Sequence, residues 1–459
     1  MLTPGERGSR TAEGSTLVGA SLQQELHLIL APGENPVTPI VQCFALEGDL
    51  DPDVLAEALS AMCHRHEALR MRFPRELRPR TALLDDSERT SWPLDIHDLS
   101  ELTEKEQQAR LADLVRRLQT SIDLAEGPLF GALLARRGEG KWFFAFVVDH
   151  IVFDGMSLDL FWADLSVVYA ARRGVVVSDH EPAPSYLAWA AEQHEHLCRA
   201  DHSTEVAHWI EQFNARGRLL PPLDVRPSYL PAQRGAGAVL TDERTVPREW
   251  RQAALTAPGR HRTTEFSAVL GAALLAMRRV STTDQVGFRI ATWGRSLPCA
   301  EGVVGLLAPS MPFFFDARDD AVISDVLGRL RTRLPELIDN ELPLTSLRAH
   351  AREVAGVRVD DDRALRAALH VPHAVLVADS PEEPAPDLRG VACRPVELPE
   401  RRAVSASPLL KIRTFEDRGD LRVTLTASTG VYTPALFRDL LDAFVEQFAR
   451  LAEEGTPTL

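Results

Sequence analysis

Between residues 51 and 66 the side chains that turn from water recur three or four places apart: Leu55, Leu59, Met62 and His66. That spacing predicts one face of a helix. Asp51-Pro52 supplies its start, an aspartate cap followed by proline at the first helical position. The apolar run ending in Phe44–Glu47 predicts a strand ahead of it. Leu69, Met71 and Phe73 alternate with arginines, the period of a half-buried strand. Leu129–Ala135 and Trp142–Val148 flank the turn Arg137-Gly138-Glu139-Gly140 and predict a β-hairpin. Its second arm is apolar on both faces and belongs inside a sheet. After a short turn, Leu158, Phe161, Trp162, Leu165, Val168 and Tyr169 form a helical stripe, with Ser157 as its cap. Core packing accounts for that stripe.

The second half repeats the mixture. Phe266–Val280 predicts an apolar helix, Val286–Thr292 and Phe313–Phe315 predict buried strands, and Leu421–Ala427 alternates as a strand. Pro434–Glu453 is an amphipathic closing helix. Residues 172–184 read as a connection between lobes, and 216–237 as a second loop. Residues 1–16 are rich in Gly, Ser, Thr and charge and read as a loose tail. The expected organisation is α/β or α+β layers. It comprises a flexible tail (1–16), an N-terminal lobe (17–178) and a C-terminal lobe (179–459).

Composition changes this picture mainly by exclusion. The 459 residues are 45% hydrophobic and 25% charged, which is ordinary for a globular chain and excludes disorder. The net charge of −15 argues against a nucleic-acid partner and against docking on an anionic membrane. Of 51 basic residues only Lys105, Lys141 and Lys411 are lysines, as a G+C-rich genome would give. Cys43, Cys63, Cys198, Cys299 and Cys393 are odd in number and widely spaced. They give no zinc or disulfide pattern and read mostly as buried small apolar residues. Met1–Ala20 has no apolar signal core, and no run reaches the roughly 18 apolar residues of a spanning helix, so a cytoplasmic location is expected.

The chemistry concentrates in Val147–Ser157, VVDHIVFDGMS. A buried strand delivers His150 at its tip, then Asp154-Gly155, then a helix. An imidazole titrates near neutrality and suits general-base work. A histidine at a strand end is more often a structural residue, but this one has telling company. His-x-x-x-Asp-Gly resembles the HHxxxDG signature of nonribosomal peptide synthetase condensation domains, within the chloramphenicol-acetyltransferase-like acyltransferases. Other motifs resemble that family in its order. They are Ser21-Leu22-Gln23-Gln24 with Leu26 and Leu28; Arg65-His66-Glu67-Ala68-Leu69-Arg70 with Phe73; Tyr186-Leu187-Ala188-Trp189; Trp209; Gly294-Arg295; and Gly305–Ser310. The resemblance spans about residues 17–453. Two positions depart from it: Asp149 replaces the first histidine, and Pro309 the usual asparagine.

The resemblance implies two chloramphenicol-acetyltransferase-like lobes in a V-shaped pseudo-dimer with a tunnel between them. It implies an acyltransferase that condenses a carrier-protein-tethered acyl or aminoacyl thioester with an amine or hydroxyl. The phosphopantetheine arm comes with an acyl or peptidyl carrier protein acting in trans, and no bound cofactor or metal is expected. The length leaves no room for adenylation or carrier domains, so a free-standing enzyme of natural-product (antibiotic) biosynthesis is expected, and a monomer suffices. By the same resemblance His150 is catalytic, while Asp154 forms a buried salt bridge with Arg295 that fixes the turn. Gly155 lets the backbone run close to the pantetheine path, and Ser157, Trp293 and Ser310 lie along the tunnel. Asp149 is mainly structural, and if close it raises the pKa of His150. N–H groups at the helix start are expected to aid a developing oxyanion.

Weaker candidates remain. His194-Glu195-His196, with His202 and His208, lacks metal-binding spacing. His66 and Glu67 are implied to be structural. The arginine run from Arg70 to Arg80 is a solvated face or a carrier-docking patch, with Arg72, Arg75 and Arg78 as its candidates. Two readings stay open beside condensation: an acyl-CoA-dependent or epimerase-like relative, and an inactive domain that recruits tailoring enzymes.

Overall fold

The apolar run 143–148 becomes the heart of a sheet, as a strand buried on both faces must. In this computed structural model it lies in Lys141–Asp149, the middle strand of five. The structure describes residues 2–12, 14–30, 37–86, 91–175, 181–199, 201–214, 225–233, 235, 237–256, 264–318, 322–346, 374–378, 385–396, 404–405 and 410–454. The strand pairs antiparallel with Pro39–Gly48 on one side and with Phe130–Gly138 on the other. Leu94–Asp98 and Val391–Pro395 form the two edges. The predicted hairpin is present, with Gly138 opposite Lys141.

The helical stripe is helix Gly155–Arg172, and aromatic rings dock it on the sheet. Phe146 lies 4.8 Å from Trp162, and Trp92 stacks 4.1 Å from Phe130. Each such pair contributes about 0.5–1.5 kcal/mol beyond its buried area. The buried indole N–H of Trp162 donates to Gln42 Oε1 at 2.7 Å, so the packing leaves that polar group satisfied. Helix Pro52–Arg65 packs on the same helix. It starts as expected, with Asp51 accepting from the N–H groups of Asp53 and Val54.

Two compact units emerge. One comprises residues 1–202, 293–309 and 384–401, and the other residues 203–292, 310–383 and 402–459. A single boundary after residue 178 is thus replaced by an interleaved division. Its cause in the first unit is strand pairing: Val391–Pro395, from far along the chain, zips onto Gly48–Phe44. Residues 293–309 return to the same unit through hydrogen bonds to Asp154 and Ser157. The second unit has a seven-stranded mixed sheet, ordered Ser310–Asp316, Gln285–Ala291, Ala374–Ala378, Leu410–Asp417, Asp420–Ser428, Gly237–Val246 and Val404–Ser405. Helices Glu265–Val280, Ile323–Asp339 and Pro434–Glu454 pack together within that unit.

Several expectations are corrected. The tail is structured: Arg7–Arg10 pairs with Thr16–Gly19 in a four-stranded antiparallel sheet. Arg7 also salt-bridges the carboxylate of Glu67, so its charge marks attachment rather than looseness. Leu69–Phe73 is a 3-10 turn and a two-residue strand, not a full strand. Only Cys63 is buried, and burial pushes its thiol up to about 12; Cys198 is exposed and the other three are half-buried. Within the two expected connections, residues 176–180, 216–224, 234 and 236 lie outside the described residues. Among the described residues no helix is long and apolar enough to cross a membrane.

Candidate active site

The strand Lys141–Asp149 ends, and a 3-10 turn, His150–Val152, leads into the helix that starts at Gly155. Asp149 closes the turn. Its Oδ1 accepts from the Ile151 N–H at 2.9 Å and its Oδ2 from the Thr38 N–H at 2.6 Å. Burial pushes its carboxyl up, and these two bonds pull it back, with His150 contributing least. Asp149 is therefore a buried cap for the backbone, and both its oxygens are taken by N–H groups.

His150 is half-buried. Its backbone is pinned on both sides, donating to the Thr38 carbonyl at 3.0 Å and accepting from the Phe153 N–H at 3.2 Å. Its Nδ1 is buried and has no hydrogen-bond partner among the described residues. The ring of His27 stands 6.2 Å away, tilted by 41°. His27 lies on helix Leu22–Leu30, from which the motif reading names Leu22, Gln23, Gln24, Leu26 and Leu28 but not His27. The usable signal was spacing: residues three apart share a helix face, and Gln24 already faces the turn.

Gln24 Nε2 donates to the Ile151 carbonyl at 3.1 Å. Ser21 and Gln24 bond reciprocally, Ser21 N–H to Gln24 Oε1 and Gln24 N–H to Ser21 Oγ, both at 3.1 Å. This is a capping box that also orients the amide. Ser21 Oγ meets the Tyr186 hydroxyl at 2.8 Å, and that hydroxyl donates to the Leu306 carbonyl at 3.1 Å. Burial pushes the Tyr186 phenol well up, which keeps it a neutral donor. Glu67 serves similarly, accepting from Ser185 Oγ at 2.6 Å and from the Leu187 N–H at 3.0 Å. His66 Nε2 lies 3.0 Å from Asp164.

Asp154 is the most heavily bonded group of the site and is 1% exposed. Oδ1 accepts from Ser157 N–H, Ser157 Oγ and Arg295 Nη2 at 2.9, 2.8 and 3.0 Å. Oδ2 accepts from Arg295 Nη1 and the N–H groups of Leu307 and Ala308, each at 3.0 Å. The expected Asp154–Arg295 pair is present and bidentate. Arg295 also donates to the carbonyls of Trp293 and Val303. One carboxylate thus ties residues 293–309 to the His150 turn.

This network revises two expectations. Asp154, not Ser157, caps the helix. Ser157 is fully buried, its hydroxyl donating to Asp154 and joined to Gly305, so it is a strut rather than a tunnel-lining group. Its N–H is spent on Asp154 and is not free for an oxyanion. Trp293 is 70% exposed, and Ser310 is half-buried at the start of its strand, opposite Ala291. A Cβ built on Gly155 meets nothing within 4 Å, so open space, not packing, surrounds that position.

Gly294 is the opposite case. Its φ is +62° and a Cβ there would stand 2.0 Å from the Leu307 carbonyl oxygen. Gly294→Ala is expected to destabilise by about 2–4 kcal/mol, combining the left-handed cost with overpacking. Denaturant titration measures it, and an unchanged midpoint would contradict this contact.

The basic run divides. Arg72 donates to Asp85, the Ala125 carbonyl and Ser15 Oγ, and Arg78 donates to the Phe73 carbonyl at 2.6 Å. Both hold the fold together, whereas Arg75 is exposed. Among the described residues no cluster of His, Cys, Asp and Glu has metal-binding geometry.

A model of the condensation domain family matches residues 40–457. The dimodular nonribosomal peptide synthase of Bacillus subtilis is 30% identical over 325 residues, 69% of this chain and 13% of that protein. The isonitrile lipopeptide synthase of Mycobacterium tuberculosis is 28% identical over 316 residues, 67% of this chain and 12% of that protein. The chain therefore matches about an eighth of the length of these curated relatives. The solved SgcC5 protein of Streptomyces globisporus shares the fold, with a TM-score of 0.75 at 21% identity over 94% of this chain and 99% of that one. The chain belongs to the condensation domain family of nonribosomal peptide synthesis, whose members form amide or ester bonds on carrier-tethered substrates.

Proposed function

We propose that the protein joins a carrier-tethered acyl or aminoacyl thioester to an amine or hydroxyl acceptor, with His150 as the group that handles the nucleophile's proton. One observation carries this reading. Around His150 the polar side chains of Asp149, Asp154 and Ser157 are all committed to hydrogen bonds, while the imidazole Nδ1 is not. Buried polar atoms without a partner are rare and need a reason. A substrate atom is one such reason.

The step follows from residue types. The neutral imidazole accepts the proton of the acceptor N–H or O–H as the nucleophile bonds to the thioester carbon. The C–S bond then breaks, and the thiolate leaves and recovers the proton. A thioester is already activated, so holding two tethered reactants together supplies much of the rate. The open space before Gly155 fits the approach of the pantetheine arm, a substrate tether, beside the His150 turn.

The test loads a carrier protein with candidate acyl groups, adds it in trans with amine and alcohol acceptors, and follows product by mass spectrometry. Coupled product is expected. Its absence with every pair, alongside tight binding to a tailoring enzyme, would favour a recruitment role. Carrier docking is tested in the same assay. Arg72→Glu is expected to lower stability by about 1–3 kcal/mol, because the Asp85 carboxylate exchanges its ion-pair partner for a like charge. Arg75→Glu, at an exposed position, is expected to leave stability within about 0.5 kcal/mol and to raise the KM for the carrier severalfold. An unchanged carrier KM in Arg75→Glu argues that this patch does not dock carriers.

A further inference from the structure

Among the described residues of the second unit, several buried or half-buried arginines are matched by carboxylates. Arg251 meets Glu265 and Glu416, Arg244 meets Asp242 and Asp442, Arg422 meets Glu243 and Asp417, and Arg278 meets Asp284. Arg289 is different. It sits in the strand Gln285–Ala291, where Val286, Phe288 and Ile290 fill the buried face and Arg289 projects from the other. Among the described residues it has no hydrogen-bond or ion-pair partner, and its Nε is buried and unsatisfied. Burial holds its guanidinium below the usual value, and among the described residues no carboxylate counters that.

The strand register shows what lies beside it. Arg289 is level with Val375, and Val375 is level with Lys411. Lys411 therefore points from the same face, about 10 Å away at two strand spacings. Arg413, the next residue on that face of its strand, lies with its guanidinium 5.3 Å from the Phe415 ring centroid. Arg289, Lys411 and Arg413 thus stand on one face of the sheet.

A half-buried guanidinium without an anion is a cost to the fold. Its planar fork of N–H donors matches carboxylate and phosphate oxygens. We infer that Arg289 is a recognition residue for an oxyanion of a small-molecule reactant. Two sources share that chemistry: the carboxylate of an amino-acid acceptor and the phosphate of the pantetheine arm. The inference takes the kind of reactant from the condensation reading, but the binding itself does not depend on turnover.

The test measures binding to the full chain by calorimetry with two sets of matched probes. One set is a panel of amino acids against their methyl esters, and the other is 4′-phosphopantetheine against pantetheine. At least one charged probe is expected to bind about tenfold more tightly than its neutral counterpart. Arg289→Met should erase that difference while leaving Tm unchanged or higher, because it removes an uncompensated charge at similar volume. Arg289→Lys should keep part of the preference. A preference for the free amino acids assigns the site to the acceptor, and one for the phosphorylated probe assigns it to the arm. The inference is overturned if no pair differs by more than twofold, or if Arg289→Met lowers Tm by several degrees. Charge-selective binding without coupled product would retire the condensation reading and leave this one standing; product without charge selectivity would do the reverse.

Discussion

His150→Ala is expected to slow condensation by about 10²–10⁴-fold, the usual contribution of a positioned acid–base group. Its stability should change by less than about 1 kcal/mol. The two effects separate because of how the residue is held. The turn is fastened by backbone bonds from His150 to Thr38 and Phe153, by the cap at Asp149 and by Gln24 on the Ile151 carbonyl. None of these passes through the imidazole, whose Nδ1 bonds to nothing among the described residues. Removing the ring is therefore expected to remove the proposed chemistry and to leave the scaffold. Single-turnover kinetics with a loaded carrier, beside a thermal melt, measures both quantities. Coupling at the parental rate in a folded His150→Ala protein sinks the base role. His27→Ala is the natural companion, because its ring is 6.2 Å from that of His150 and on a different element.

The second large effect lies in stability. Asp154→Ala is expected to cost about 3–5 kcal/mol, the range for breaking one side of a buried ion pair. Here the loss falls on several groups at once. Arg295 is left with an unmatched charge and only the Trp293 and Val303 carbonyls. The N–H groups of Leu307 and Ala308 lose their acceptor, and so do the N–H and hydroxyl of Ser157. Arg295→Ala should cost less, because Asp154 would keep four of its donors. Denaturant titration of both single variants and the double variant measures the order and the coupling. An Asp154→Ala protein as stable as the parent contradicts the account, as does an Arg295→Ala protein that is the less stable of the two.

Activity should fall with stability in Asp154→Ala, since the same carboxylate holds residues 293–309 against the turn that carries His150. The pairing of a stable, inactive His150 variant with an unstable Asp154 variant is the signature expected of a catalytic group on a clamped loop.

Much of this was legible in the residues themselves. The cap at Asp51-Pro52, the hairpin around residues 137–140, the stripe from Leu158 to Tyr169 and the helix near 266–280 are local patterns. Periodicity and capping act over a few residues, so the sequence carries them openly. The motif order also pointed to His150 and to its Asp154–Arg295 brace.

What only the tertiary structure decided was the set of long-range partners. Asp149 looked like a neighbour able to tune His150, yet its oxygens face backbone N–H groups that no spacing rule announces. Ser157 looked like a cap and became a strut to Gly305. Arg72 and Arg78 looked like a solvated patch and proved to be bonded inward. His27 met His150 only when its helix packed beside the turn. The sequence by itself determined the elements and the residue types available for chemistry. The fold determined which buried donors and acceptors found each other, because partners such as Ser21 and Tyr186 lie 165 residues apart and come together only when strands and loops return to one unit.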